Sequence, residues 1–368
     1  MIIGIDITPI TCTPTGIGMY TRHLIQELAA VACPDRFMGF AAGIRPLDQP
    51  HIPFPYRRIP VPARLMYEVW NRTGRPFADS MMGGLDVFHA VNYVLPPLEK
   101  ARGIVTIHDL GFLRNQDWFS PKIMKPFKRS IYRHAHRAET VIAVSEATGA
   151  DVHAFLEVPP ERIRIVYEAA DKSFYPIPHD LAARRVYETL HIEGPYVLFV
   201  GTVEARKNIT GLLEAFSRAD IRHTLVIAGG YGWRSREVRE HAVRLGLNER
   251  VRFTGYIPGR SLFPSLYSAA DMFVFPSWHE GFGLPVLEAM ACGCPVITSD
   301  TSSLPEVGGD AAVYVNPGDT DELARKMETL AADENLCAIM AGKGLARSKL
   351  FSWRRCAEET LACYHRAV

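Results

Sequence analysis

The residues able to do chemistry gather in the second half of the chain. Glu280 and Glu288 bracket the stretch His279-Glu-Gly-Phe-Gly-Leu-Pro-Val-Leu-Glu288, and Arg206 and Lys207 stand together in Gly201-Thr-Val-Glu-Ala-Arg-Lys-Asn208. A glycine loop that opens a helix near Gly283 offers backbone N–H groups to an anion such as a diphosphate. Two carboxylates beside it exceed what a phosphate cradle needs, so the expected ligand carries hydroxyls as well as phosphates. Arg206 and Lys207 fall where the next helix begins, against its macrodipole. An anion bound between the cations and the helix would explain that placement, with Arg as a forked donor and Lys as a point charge. Two solvated charges are the alternative.

These side chains need a scaffold. The apolar run Asp271-Met-Phe-Val-Phe-Pro276 reads as a buried parallel strand ahead of the glycine loop, with Pro285 in the first helical turn and Cys292-Gly293 closing the helix. Further strands are expected at 196–200, 224–228, 251–254, 296–298 and 312–315, and in the first half at 2–7, 37–42, 56–61, 86–90, 103–107, 140–144 and 163–167. Helical patterns between them imply parallel α/β sheets with right-handed crossovers. Gly229-Gly230 and Gly255-Tyr-Ile257 follow two of the strands and suit a base or ribose lying against backbone. In the first half, a loop with Pro9, Pro14, Gly16 and Gly18 leads into a helix at 19–30, and the strand at 103–107 runs into His108-Asp109. Open α/β sheets place their sites at such strand ends. A ligand-free turn and a structural histidine are the plain alternatives.

At 368 residues the chain suits two domains. The linker is expected at 168–179, where Pro176 and Pro178 break the periodicity, giving domains 1–172, joined by a final helix at 352–368, and 173–351. The 48% hydrophobic and 22% charged composition is that of a globular enzyme, and a net charge of +1 argues against a nucleic-acid binder. Seven scattered cysteines read as reduced thiols of a cytoplasmic protein. Neither a basic leader nor an apolar run of about 20 residues is present, so a soluble or peripheral protein is expected. Arg57, Arg58, Arg64, Arg72 and Arg75 in 57–75, and Lys122, Lys125, Lys128, Arg129, Arg133 and Arg137 in 122–137, form basic amphipathic stretches. Each is either a solvated face or a surface that meets anionic lipid at the inner face of a membrane.

Glu280 and Glu288 resemble the Glu-x7-Glu motif of the retaining glycosyltransferases of family 4, and Gly201 to Asn208, Ser303-Leu-Pro-Glu-Val-Gly-Gly309 and Val315-Asn-Pro-Gly-Asp319 fit the same pattern. The resemblance implies the GT-B fold: two Rossmann-like doubly wound α/β domains with a cleft between them, and a C-terminal helix crossing back to the N-terminal, acceptor-binding domain. It also implies the roles that follow. Arg206 and Lys207 would hold the donor diphosphate and stabilise charge on the leaving group. Glu288 would take the ribose hydroxyls, with Gly229 and the backbone of Ile257 beside the base. Glu280 would bind hydroxyls of the transferred sugar, while Gly281, Phe282, Gly283 and Leu284 offer N–H groups. Gly16 and Gly18 would close over the diphosphate, and His108 would face the reacting sugar. Some relatives carry Arg directly after the loop glycine, where this chain has Thr202.

The implied reaction moves a sugar from a nucleoside diphosphate sugar to an acceptor hydroxyl with retention. No carboxylate is placed as a nucleophile, which favours a same-face route in which the departing phosphate takes the acceptor proton. No Asp-x-Asp sits at a strand end, so no metal cofactor is expected. The motif style resembles bacterial mannosyltransferases of surface-polysaccharide assembly, pointing to GDP-mannose and a lipid-linked glycan acceptor. UDP-glucose or another UDP-sugar is the alternative donor, and a nucleotide-sugar epimerase the alternative on the same fold. A dinucleotide-dependent oxidoreductase fits less well, because Gly16-Ile-Gly18 does not continue as Gly-x-Gly-x-x-Gly.

Overall fold

The computed structural model describes residues 1–10, 16–44, 46–48 and 51–368. The side chains of residues 121–127 and of Arg129 lie outside the described set, and so does Pro14. The chain divides into two units: Met1–Leu113, Lys122–Glu168 and Ser352–Val368 form the first, and Arg114–Pro121 with Ala169–Phe351 the second.

The first unit is built on seven parallel strands, β1 (Ile2–Asp6), β2 (Arg36–Ala42), β3 (Tyr56–Ile59), β4 (Val87–Ala90), β5 (Arg102–Ile107), β6 (Thr140–Ala143) and β7 (Ile163–Ile165), in the order β3-β2-β1-β4-β5-β6-β7. β4 and β6 are buried at every position, as strands covered by helices on both faces must be. The first helix, Gly16–Ala30, starts earlier than its apolar pattern indicates, so Gly16 and Gly18 lie in its first turn and not in a loop. The apolar period needs a side chain to show itself, and two glycines in the first turn hide it. Ser145 caps the helix Glu146–Leu156 by accepting the Thr148 N–H, as its position suggests.

The final helix, Trp353–Ala367, packs on the helix Gly16–Ala30 within this unit. Trp353 stacks on His23 with centroids 4.8 Å apart, and the Tyr364 hydroxyl meets Nδ1 of the buried His89 at 2.7 Å. His89 Nε2 in turn lies 2.8 Å from the Thr106 hydroxyl on β5. Burial pushes the His89 imidazole down to about 3, so the ring is neutral and passes one hydrogen bond along the chain.

The second unit carries β8 (Tyr196–Val200), β9 (Thr224–Ala228), β10 (Val251–Gly255), β11 (Met272–Phe275), β12 (Val296–Ser299) and β13 (Val313–Val315), all parallel, in the order β10-β9-β8-β11-β12-β13. The chain winds outward from β8 to β10, then returns to lay β11 on the other side of β8. That reversal opens a crevice at the carboxyl ends of β8 and β11, where doubly wound sheets bind ligands. The segment 114–121 joins this unit although its chain neighbours belong to the first, held by aromatic contacts described below.

The loops after β8 and β9 approach closely. Gly229 has φ +154°, and a Cβ there would sit 2.0 Å from the Gly201 carbonyl oxygen. Gly229→Ala must therefore shift backbone, and it is expected to cost about 2 kcal/mol or more. Thermal unfolding checks this; a melting temperature equal to wild type would show that the loops separate freely.

Candidate active site

Arg206 and Lys207 leave β8 in a short 3-10 turn, Ala205–Lys207, ahead of the helix Ile209–Arg218. They are not solvated: Arg206 is 9% and Lys207 8% exposed. Glu280, in the loop after β11, meets both. Its Oε2 accepts from Arg206 Nη1 at 2.7 Å and its Oε1 from Lys207 Nζ at 2.7 Å. Arg206 also reaches the His279 carbonyl at 2.6 Å and Glu204 at 3.1 Å, while the Lys207 ammonium lies over the Phe275 ring. The reversal of strand order is what makes the meeting possible, since it sets residues 73 and 74 positions apart side by side.

Burial pushes the Glu280 carboxyl up, but Arg206 and then Lys207 outweigh it and hold it at about 2. Burial pushes Lys207 below its ordinary value, against the pull of Glu280. Desolvation offsets much of what a buried ion pair gains, so such a cluster is a poor way to stabilise a fold. It is a good way to keep two cations ready for an anion.

The loop carrying Glu280 is fixed from below. Ser302 Oγ accepts the Glu280 N–H at 3.0 Å, and the Ser303 hydroxyl donates to the carbonyls of Glu280 and Phe282 at 3.0 and 2.8 Å. Asn208 donates to the Pro317 carbonyl at 2.7 Å. The motifs at 303–309 and 315–319 thus support the loops that carry Arg206, Lys207 and Glu280. Gly283 caps the helix Leu284–Ala291 at φ 108°, with Pro285 in its first turn. Gly281 precedes it, and Phe282 is buried with its ring against Phe351.

Glu288, one face of that helix further on, has its own partners. Arg260 forms an ion pair with Oε1, and the Tyr267 hydroxyl donates to Oε2 at 3.2 Å. Burial raises its pKa and Arg260 opposes the rise. Arg260 lies in the loop after β10 that also holds Ile257, and its guanidinium sits over Phe174 at 4.9 Å. Sequence reasoning missed it, because one Arg after a glycine turn looks like any surface charge. The missed signal was position: three residues past Ile257, after the carboxyl end of a parallel strand.

In the first unit, His108 follows β5 with both ring nitrogens engaged, Nδ1 at 3.0 Å from Glu168 Oε1 and Nε2 at 2.9 Å from the Val91 carbonyl. Tyr20, one turn past Gly16, meets the ring edge-on at 4.7 Å. Glu168, the first residue of the expected linker, is the buried partner of His108. Asp6, at the end of β1 where this sheet also reverses, was not singled out, and burial pushes its carboxyl up to about 6 against hydrogen bonds from Thr8.

Because the folded value of Glu280 lies below the ordinary 4.5, its contribution is complete above that pH and lost as the pH falls through about 2. Integrated, this is of order 3 kcal/mol. In acid titrations of stability, wild type should lose more between roughly pH 5 and 2 than Glu280→Gln, which starts less stable but titrates more flatly. Parallel curves would mean that the cluster does not hold the carboxylate ionised.

The model of the family "Glycosyl transferases group 1" matches residues 185–346, and that of "Glycosyltransferase Family 4" matches residues 14–174. The O-antigen chain mannosyltransferase B of Escherichia coli is 34% identical over 76% of this chain and 74% of its own length. The serotype-specific mannosyltransferase WbdA of Escherichia coli is 30% identical over 72% of this chain, which spans about a third of that protein, 33%. The sucrose-phosphate synthase structure from Thermosynechococcus elongatus superposes with a TM-score of 0.79 over 100% of this chain and 98% of its own at 23% identity, a likeness of fold. With its two parallel sheets and returning C-terminal helix, the chain belongs to glycosyltransferase family 4 and is a retaining glycosyltransferase of the GT-B fold.

Proposed function

We propose that the protein transfers mannose from GDP-mannose to a hydroxyl of a lipid-linked glycan, with the second unit binding the donor and the first the acceptor. The observation that carries the donor assignment is the Arg206–Lys207–Glu280 cluster between the ends of β8 and β11. A diphosphate arriving there competes with Glu280 for the two cations, and the released carboxylate becomes an acceptor for sugar hydroxyls. As the anomeric bond breaks, charge grows on the β-phosphate, and Arg206 and Lys207 stabilise it without reorganising. The same phosphate, on the face the acceptor approaches, takes the acceptor proton, giving retention with no metal in the step. Glu288 receives the ribose hydroxyls beside Tyr267 and Arg260, and Gly229 and Ile257 lie where the base would rest. Gly16, Gly18 and His108 are the first unit's candidates for a role in transfer. The mannosyltransferase names of the relatives support mannose.

A thermal-shift panel of GDP-mannose, UDP-glucose, GDP, UDP and NAD tests the donor. GDP-mannose at about 100 Kd should raise the melting temperature by roughly 5–10 °C, with the UDP and NAD compounds inert. A response to UDP-glucose alone would replace the donor. Lys207→Ala should lower transfer by about 100-fold or more while the fold survives, and near-normal turnover would move the site elsewhere.

The acceptor side draws on the basic surface of the first unit. The helix Ala63–Thr73 leaves Arg64, Leu65 and Arg72 exposed, and Arg133 of the helix Pro121–Arg137 donates to the Asn71 carbonyl, joining the two basic stretches. Among the described residues no helix is long and apolar enough to cross a membrane. Vesicles of phosphatidylglycerol and phosphatidylcholine should bind the protein at low salt and release it as salt rises, with pure phosphatidylcholine binding little. Equal binding to both would remove the membrane from the proposal.

A further inference from the structure

The segment Arg114–Pro121 leaves the first unit, makes one 3-10 turn at Gln116–Trp118, and lies on the second unit before the chain returns. Two adjacent aromatic side chains make the contact. The Trp118 ring stacks on His279, 6.4 Å between centroids and 17° between planes, and the Phe119 ring lies 5.8 Å from the Arg206 guanidinium carbon. His279 precedes Glu280 and its carbonyl accepts from Arg206, so the two rings cover both ends of the connection that holds the cation cluster.

Ordinary packing does not account for this arrangement. Trp118 and Phe119 are only partly buried, so burial of their own apolar surface is incomplete. A single 3-10 turn cannot hold itself in place by backbone hydrogen bonds. The rings are set against the buried Arg206–Lys207–Glu280 cluster in the carboxyl-end crevice. A ring 5.8 Å from the Arg206 guanidinium carbon takes up space that water would otherwise fill, and a drier site strengthens the attraction of cations for an incoming anion.

We propose that Trp118 and Phe119 are positioning residues of the donor site: an aromatic clamp that holds Arg206 and the His279–Glu280 loop in the geometry that receives the diphosphate. They act through Arg206 and His279 and need no contact with the substrate. This rests on the donor assignment above. The clamp acts on binding of the nucleoside diphosphate group, whatever the base, so its loss should fall on donor KM and leave kcat and acceptor KM near wild type.

The experiment is steady-state kinetics of Trp118→Ala, Phe119→Ala and Trp118→Phe in the full chain, beside thermal melts and titration of wild-type tryptophan fluorescence with GDP-mannose and UDP-glucose. Each alanine variant should raise donor KM roughly fivefold to thirtyfold, with kcat within about twofold and an unchanged melting temperature. Trp118→Phe should recover most of the loss, since a flat ring can still stack. Unchanged donor KM in both alanine variants overturns the clamp. So does a fall in kcat that tracks a lower melting temperature, which would make the segment structural. If neither nucleotide sugar changes the fluorescence or the melting temperature of wild type, the donor assignment itself fails, a result distinct from the failure of the clamp.

Discussion

One carboxylate, Glu280, holds two buried cations at the end of a buried sheet, and the surrounding loops are arranged around that constraint. Glu280 pulls against the burial that lowers Lys207, and Glu280 would not stay ionised without Arg206 and Lys207. The loop after β8 must present the cations, the loop after β11 must present the carboxylate, and both must keep their shape. Ser302, Ser303 and Asn208 do that from below, through hydrogen bonds to the backbone of residues 280, 282 and 317.

In the proposed reaction a cluster of this kind suits exchange. Its internal pairing is favourable enough to keep the charges in place and is opposed by desolvation, so an anion with several oxygens can take over the cations at modest cost. Glu288 is a second, separate version of the arrangement, balanced by Arg260 and Tyr267. The two carboxylates therefore sit in different environments, one driven strongly acidic and the other raised by burial. Different environments suit different partners, and in the proposed reaction these are the sugar and the ribose.

The first unit solves a different problem, that of tying a returning helix to a sheet. Neutral hydrogen bonds do it: Tyr364 to His89, His89 to Thr106, and Thr106 to Tyr20, whose ring then meets His108. His108 is oriented at both nitrogens by Glu168 and the Val91 carbonyl. The histidine that sequence reasoning singled out is thus at the end of a connected polar path, not alone on an apolar surface.

Much of this architecture is legible in the sequence by itself. Fully apolar runs of four or five residues separated by helical periods fit buried parallel strands, because a strand with polar alternation would leave one face wet. Glycine and proline at fixed offsets place the loop, the helix start and its end around 280–293. The spacing of Glu280 and Glu288, with the Gly201–Asn208 stretch, pointed to the family that the comparisons show. What the sequence did not contain was partnership. That Glu280 lies between Arg206 and Lys207, that Arg260 faces Glu288, that Glu168 faces His108, and that Trp118 reaches His279 depends on strand order and on a chain excursion. Hydrophobic periodicity sets which faces are buried, and it is blind to which distant polar groups meet once they are. Only the tertiary structure decided those pairs, because a contact across 73 residues is set by the order in which the strands lie.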